Sequence, residues 1–342
     1  MLFGLLGVID MPKISRRSIV SVILAALAIA IGGCDNSSPS APGAKGSSPG
    51  PSAVPATFTI GYSQCNRGEP WREQMDKDIE ANASKYSAIK LIMKDAQNDA
   101  LAQQAHVKEF IAQGVDVLII SPKDTSLTQV VADAYKAGIH VIVLDRKVEG
   151  DAYTCFIGAD NRVIGAAVGK WVNDQLKGKG NVVELRGLSS STPSVERSEP
   201  FRKAIEGTGI KVVYDADMEW LGDKAREKMQ AALATNPEAG SINLVYGAND
   251  PAAIAAYYAA KDAGRENEML FVGVDALPHE GIEAVRTGIL NATFQYPNGA
   301  DVAIDTALTI MKGETAPKTI TLGTRLFTKD NVASGGEAVG NS

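Results

Sequence analysis

From Thr57 onward the apolar and polar positions follow two alternating rhythms. Thr57 to Ser63 is a β-rich run, after which Trp71, Met75, Ile79 and Ala83 recur every four residues, as one face of a helix does. Ile89 to Met93 reads as a strand, Leu101 to Gln113 as a helix stopped by Gly114, and Val115 to Ile120 as a strand buried on both faces. Leu127 to Lys136 is helical, Gly138 ends it, and Ile139 to Leu144 is the next strand. The segments from Gly114 to Ile120 and from Gly138 to Leu144 repeat one pattern of helix, glycine stop and buried strand, which predicts parallel, doubly wound α/β architecture.

The rhythm then starts afresh. Gly165 to Leu176 and Pro200 to Glu206 read as helices; Asn181 to Leu185, Lys211 to Tyr214, Leu244 to Tyr246 and Leu270 to Val274 read as strands, with Ala-rich helices between the later ones. Ile289 to Gln295 is a strand and Ala300 to Lys312 a helix. About ten such units exceed one comfortable sheet, so two lobes with a ligand cleft between them are expected. The expected N-lobe takes residues 57–160 plus 296–322, and the C-lobe 161–295 plus 323–337. A three-strand hinge is expected near Asp160, Tyr296 and Leu322.

The N-terminal stretch changes the picture from a soluble body to an exported one. Lys13, Arg16 and Arg17 precede the apolar run Ser18–Ile31, which is too short to span a bilayer well and fits a signal peptide, read from either Met1 or Met11. The run ends Ile31-Gly32-Gly33-Cys34, similar to a bacterial lipobox; residues 1–34 are therefore expected to be a signal peptide with Cys34 lipidated. Residues 35–56 are Ser, Pro, Gly and Ala with few large apolar groups, a composition expected of a disordered leash. The protein is then held at a membrane, in the periplasm or at the cell surface, by lipid alone.

Composition removes other classes. A net charge of −6 gives no overall attraction for nucleic acid. The 3 cysteines form no metal spacing, Cys65 and Cys155 read as free thiols, and the 3 histidines are scattered. No metal, cofactor or nucleotide motif is present.

In open parallel sheets ligands bind beyond the carboxyl ends of the strands. The residues standing there are Glu69, Trp71 and Arg72; Asp145 and Arg146; Arg197 after a Ser-rich loop; Trp220; Asn249; Asp275; and Gln295. Carboxylates, amides and guanidinium groups offer fixed, often bidentate partners to sugar hydroxyls, and flat indoles suit the C–H face of a sugar ring. The charges roughly balance, which favours a neutral ligand over a phosphate. Two carboxylates serving a glycoside-active enzyme are the competing use of such a cleft, but here each carboxylate has Arg or Asn neighbours suited to static binding.

The run from Ile60 to Leu322 resembles the ribose/galactose type of periplasmic sugar-binding protein, the class I solute-binding fold. The residues that carry the resemblance are Gly61-Tyr62-Ser63-Gln64 with Pro70-Trp71-Arg72, then Asp95-Ala96-Gln97-Asn98, Leu144-Asp145-Arg146, Glu196-Arg197-Ser198-Glu199, Ala248-Asn249-Asp250 and Gly273-Val274-Asp275. The first of these is most similar to the galactofuranose-binding branch. The resemblance implies stacking on the sugar by Trp71 and Trp220, and hydrogen bonds from Asp145, Arg146, Arg197, Asn249, Asp275 and Gln295. Glu69 and Arg72 stand where ribose binders carry Asn and a second Phe, which turns the expectation toward a furanose-like aldose, galactofuranose or a related pentose or hexose. The implied partners are a monosaccharide and the permease of an ABC importer, with the chain a monomer and not an enzyme. A sensing module for a chemoreceptor or sensor kinase is the alternative.

Overall fold

The computed structural model describes residues 57–340. The expected signal peptide, Cys34 and the leash over 35–56 lie outside the described residues.

The chain runs β1 (Phe58–Gln64), α1 (Pro70–Ala83), β2 (Ile89–Asp95), α2 (Ala100–Gln113), β3 (Val117–Ser121), α3 (Thr128–Lys136), β4 (His140–Leu144) and β5 (Cys155–Ala159). It continues α4 (Asn161–Leu176), β6 (Lys179–Arg186), α5 (Thr192–Ile205), β7 (Gly209–Asp217), α6 (Gly222–Thr235), β8 (Leu244–Gly247), α7 (Asp250–Asp262), β9 (Leu270–Asp275), α8 (Gly281–Thr287) and β10 (Ala292–Gln295). The last elements are α9 (Ala300–Met311), β11 (Thr319–Leu322), β12 (Thr324–Thr328) and β13 (Glu337–Val339).

Two sheets form. The first has order β11-β5-β4-β3-β1-β2 and the second β13-β12-β10-β9-β8-β6-β7. Every pairing in the first is parallel, whereas β12 pairs antiparallel with both β10 and β13 at one edge of the second. The fold is thus the doubly wound α/β kind the rhythm predicts, with an antiparallel edge it does not reveal. The chain leaves the first sheet after Ala159, returns to it after Gln295, and passes to the second again at Gly323.

Within each sheet the order reverses at one place: β1 lies between β2 and β3, and β6 between β7 and β8. At such a switch point the connections leave on opposite faces and a crevice opens beyond the strand ends. The strands beside it are buried along their whole length: every residue of β3 and β8 is buried, and Ser121 at the end of β3 is the one polar side chain among them apart from the Tyr246 hydroxyl. Local signals fix the flanking helices. Asp99 caps α2 by accepting from Leu101 N (2.8 Å), and Gly114 ends it in the left-handed region at φ 63°. Asp160 caps α4 at the first passage between sheets, accepting from Arg162 N and Val163 N.

One helix begins earlier than expected. Pro200 reads as a helix start, since proline suits the first turn, yet α5 already begins at Thr192 and carries Pro200 inside. Packing outweighs the local rule here. On α4, a Cβ at Gly165 would lie 2.2 Å from Arg197 O, and one at Gly169 2.7 Å from Phe201 O. Only glycines let α5 come this close, and that approach sets the depth of Arg197. The strand expected over Ile289–Gln295 shortens to Ala292–Gln295, and the helix expected from Gly165 starts at Asn161.

Candidate functional site

The two crevices face one small cavity. It is lined by Glu69, Trp71, Arg72, Asp145, Arg146 and Arg197, and further by Trp220, Asn249 and Asp275. Each stands at or just past the end of a strand or in the helix that follows one. Gln295 does not join them; it lines a neighbouring groove that shares Trp71, Asp275 and Tyr296 with the cavity. Pro193 and Tyr296 complete the lining and were not anticipated.

The floor is a buried polar lattice. Arg72 Nη1 donates to Gln64 Oε1 (3.1 Å) and Ser121 Oγ (2.9 Å), and Nη2 donates to Asp145 Oδ2 (2.9 Å). Glu69 occupies the N-cap position of α1 but does not cap it; its Oε1 accepts from Asn66 Nδ2 (2.9 Å) and lies 3.4 Å from Arg72 Nε. Asp145 also accepts from Ser121 Oγ (3.3 Å) and, at Oδ1, from Tyr296 Oη (2.9 Å). Burial would raise the Asp145 carboxyl, but the charges of Arg72 and Arg146 and the hydrogen bonds from Arg72 and Tyr296 outweigh it and hold it below its ordinary value. Asp145 therefore spends most of its acceptor capacity on the protein.

Arg146 donates from Nη1 to Lys123 O (2.6 Å), and its buried Nε, 3.8 Å from Asp145 Oδ2, makes no hydrogen bond among the described residues. Arg197 donates from Nε to Asn161 Oδ1 (2.8 Å) and from Nη1 to Ala248 O (2.6 Å). Its guanidinium lies 4.4 Å from the Tyr296 ring centroid and 5.4 Å from that of Trp220. Asn249 caps α7, accepting from Ala252 N (3.0 Å), and its amide donates to Trp220 O (3.0 Å). The cap and the wall residue are thus one unit. Trp220 packs flat on Gly187, where any Cβ would fall 2.2 Å from the indole.

Asp275 differs from the other carboxylates. It is 6% exposed, and its side chain has no hydrogen-bond partner among the described residues. Beside it, fully buried Asp250 accepts from Thr293 Oγ1 (2.6 Å) and from Ala276 N (2.7 Å). Asp250 fits because Gly273 and Gly281 leave room: Cβ atoms there would lie 2.2 and 1.8 Å from its carboxylate. Burial, then the Asp250 charge, pushes the Asp275 carboxyl well above the carboxylate range. Burial likewise pushes Asp250 to about 6.

Backbone strain gathers here. Asp145 (φ 70°), Trp220 (φ 70°) and Asp275 (φ 133°) are non-glycine residues in the left-handed region, each at about 1–3 kcal/mol. Such strain persists only where surrounding contacts over-determine it, and all three residues line the cavity. The lining sets the carboxyl groups of Glu69, Asp145 and Asp275 among the guanidinium groups of Arg72, Arg146 and Arg197. Among the described residues no cluster of His, Cys, Asp and Glu suits a metal ion, and Cys65 and Cys155 are buried free thiols.

Strand-end position names Gln295 as a ligand contact and places Tyr296 only at the hinge. Successive side chains at a strand end point to opposite faces, so of two neighbours one reaches the cavity wall; here it is Tyr296. Pro193 was missed because α5 was expected to start at Pro200.

A family model for the periplasmic binding protein domain matches residues 60–315. The chain belongs to that family. Among curated proteins it is similar to the galactofuranose-binding protein YtfQ of Escherichia coli (strain K12), 30% identical over 279 residues, which cover 79% of this chain and 87% of the relative. Among solved structures it is similar to the fructose-binding periplasmic domain of a hybrid two-component system, with 41% identity and a TM-score of 0.77 over 81% of this chain and 92% of the other. It is also similar to the binding component of the arabinose ABC transporter from Shewanella sp. ANA-3, bound to L-arabinofuranose. There the identity is 30% and the TM-score 0.76 over 81% of this chain and 93% of the other. All three are named for binding, in line with the expectation of a binding protein rather than an enzyme. No helix among the described residues is long and apolar enough to cross a membrane.

Proposed function

We propose that this chain is the substrate-binding lipoprotein of an ABC-type importer for a neutral monosaccharide, held in the cavity between the two sheets. The observation that carries the reading is the lining itself: three carboxyl and three guanidinium side chains, walled by Trp71, Trp220 and Tyr296. The three guanidinium groups are already engaged by Asp145, the Lys123 carbonyl, Asn161 and the Ala248 carbonyl, while fixed donors and acceptors on two sides suit a ring bearing hydroxyls. A sugar touching both halves stabilises the closed arrangement by its contacts with each. Lys147, after β4, already bridges the rim to Glu196 of α5 at 2.8 Å. Relatives named for galactofuranose, arabinofuranose and fructose support a furanose-like ring, and the polar pair Glu69 and Arg72 agrees with that.

The proposed anchor is lipid on Cys34, which keeps the body beside its permease at high local concentration. Metabolic labelling with a fatty acid tests this: wild type incorporates label and Cys34→Ser does not. Equal labelling of both removes the anchor from the proposal.

A second reading has its own support. The solved structure at 41% identity belongs to a two-component system. In that reading the closed pair of lobes signals to a sensor kinase instead of delivering sugar. Uptake of labelled sugar by cells with and without the gene separates the two: loss of uptake supports import, and unchanged uptake with lost transcriptional response supports sensing.

A further inference from the structure

Tyr296 stands where the chain passes between the sheets, directly after β10, and it touches groups from both sides. Toward the first sheet its hydroxyl donates to Asp145 Oδ1 (2.9 Å), and its carbonyl accepts from Trp71 Nε1 (2.8 Å). The Trp71 and Tyr296 ring centroids are 5.2 Å apart. Toward the second, its ring face lies under Arg197, and Asn161 Nδ2 donates to its hydroxyl (3.4 Å). Asn161 in turn holds Arg197 Nε. The ring and the hydroxyl thus reach different partners, on different sides of one cavity.

We propose that Tyr296 is a positioning residue that sets the ligand-facing groups of the two lobes against each other. Its ring seats Arg197, and its hydroxyl orients Asp145 and, through it, Arg72. Rotation of the halves apart strips one of these contacts, so the cavity is complete only when both are made. The hydroxyl bond is buried and runs to a charged acceptor, the kind whose loss weakens an interaction by roughly ten- to a hundredfold. The inference rests on the monosaccharide reading of the cavity, and its test separates the two.

The full chain is compared with Tyr296→Phe and Tyr296→Leu by calorimetry against a panel of neutral monosaccharides. The carboxyl titration of Asp145 is followed by carbon NMR without ligand. Asp145 is faced by Arg72 from α1, Arg146 beside it, Ser121 from β3 and Tyr296; the first two charges and the last hydroxyl keep it ionised. Tyr296→Phe should weaken binding about tenfold or more and move the Asp145 midpoint upward. Tyr296→Leu should show the same midpoint change and a further loss of affinity, because Arg197 loses its platform. Sugar binding unchanged in both variants overturns the proposal, as does an equal affinity loss in both with an unmoved Asp145 midpoint, which would mean packing alone. Absence of sugar binding by the wild type defeats the monosaccharide reading, and an unmoved Asp145 midpoint in Tyr296→Phe then defeats the positioning role independently.

Discussion

Arg72 Nη2 lies 2.9 Å from Asp145 Oδ2, with both side chains 3% exposed. Such a pair sits in low dielectric, where desolvation opposes the attraction and the surrounding hydrogen bonds decide the balance. Removing one partner leaves a buried charge without compensation, at about 3–5 kcal/mol. Arg72→Met should therefore lower the unfolding free energy by roughly that amount in urea titrations. Arg72→Met combined with Asp145→Leu should recover much of the stability and still fail to bind sugar. Recovery of binding in the double variant would remove the pair from the site.

Asp275 should show function and stability pulling in opposite directions. Its carboxylate has no protein donor and faces the cavity beside Asp250. Asp275→Asn removes an acid that is ionised in the unfolded chain but whose charged form is disfavoured by burial beside Asp250, so at neutral pH the ligand-free protein should melt higher, by about 2–4 °C for each ~1 kcal/mol gained. The same change replaces one cavity-facing carboxyl oxygen by an amide N–H and should weaken sugar binding about tenfold or more. Lower melting together with unchanged affinity would mark Asp275 as structural.

Glu280, just before α8, gives the pH dependence. Burial, then the Asp250 charge, raises its carboxyl from an ordinary 4.5 to about 7. The folded state therefore holds this proton more tightly than the unfolded chain does. The stability it contributes is present below about pH 4.5 and is lost as pH rises through about 7. At ~1.4 kcal/mol per pH unit the loss is at most ~3 kcal/mol. Glu280→Gln should match wild type near pH 4.5 and melt higher at pH 8. Asp145, whose carboxyl is held low, acts in the opposite sense, and its contribution is lost only at more acid pH. Parallel melting curves for the two proteins from pH 4.5 to 8 would contradict this.

Gly187 should be intolerant of a side chain. Its would-be Cβ lies 2.2 Å from the Trp220 indole, so Gly187→Ala displaces that ring or the strand end. Overpacking of this kind costs about 1–3 kcal/mol, and sugar affinity should fall with it. Gly222→Ala is the control, because its nearest atoms are at ordinary contact distance, 3.4 Å or more. Equal behaviour of the two variants in melting and calorimetry would show that Trp220 does not depend on that approach.

Much of this architecture was legible because its determinants are local. The glycine stop at Gly114 and the buried run through Ile120 define a strand and its preceding helix without reference to anything distant. The rule that ligands meet strand ends then selects Asp145, Arg146, Asn249 and Asp275 directly. What stayed hidden depends on distant contacts. Pro200 lies inside α5 because Gly165 and Gly169, a strand away in sequence, admit the helix. Tyr296 outranks Gln295 because of which way a strand end points, and Asp145 turns out to be largely committed to Arg72, Ser121 and Tyr296. The antiparallel β12 and β13 lack any helix-strand rhythm to announce them.

The central claim is that the cavity closes on a neutral monosaccharide. Isothermal titration of the purified full chain with fructose, arabinose, ribose and galactose tests it most directly. The account predicts saturable one-to-one binding of at least one of these, weakened about tenfold or more in Arg197→Ala. No heat with any neutral monosaccharide, alongside saturable binding of a charged solute, would contradict it.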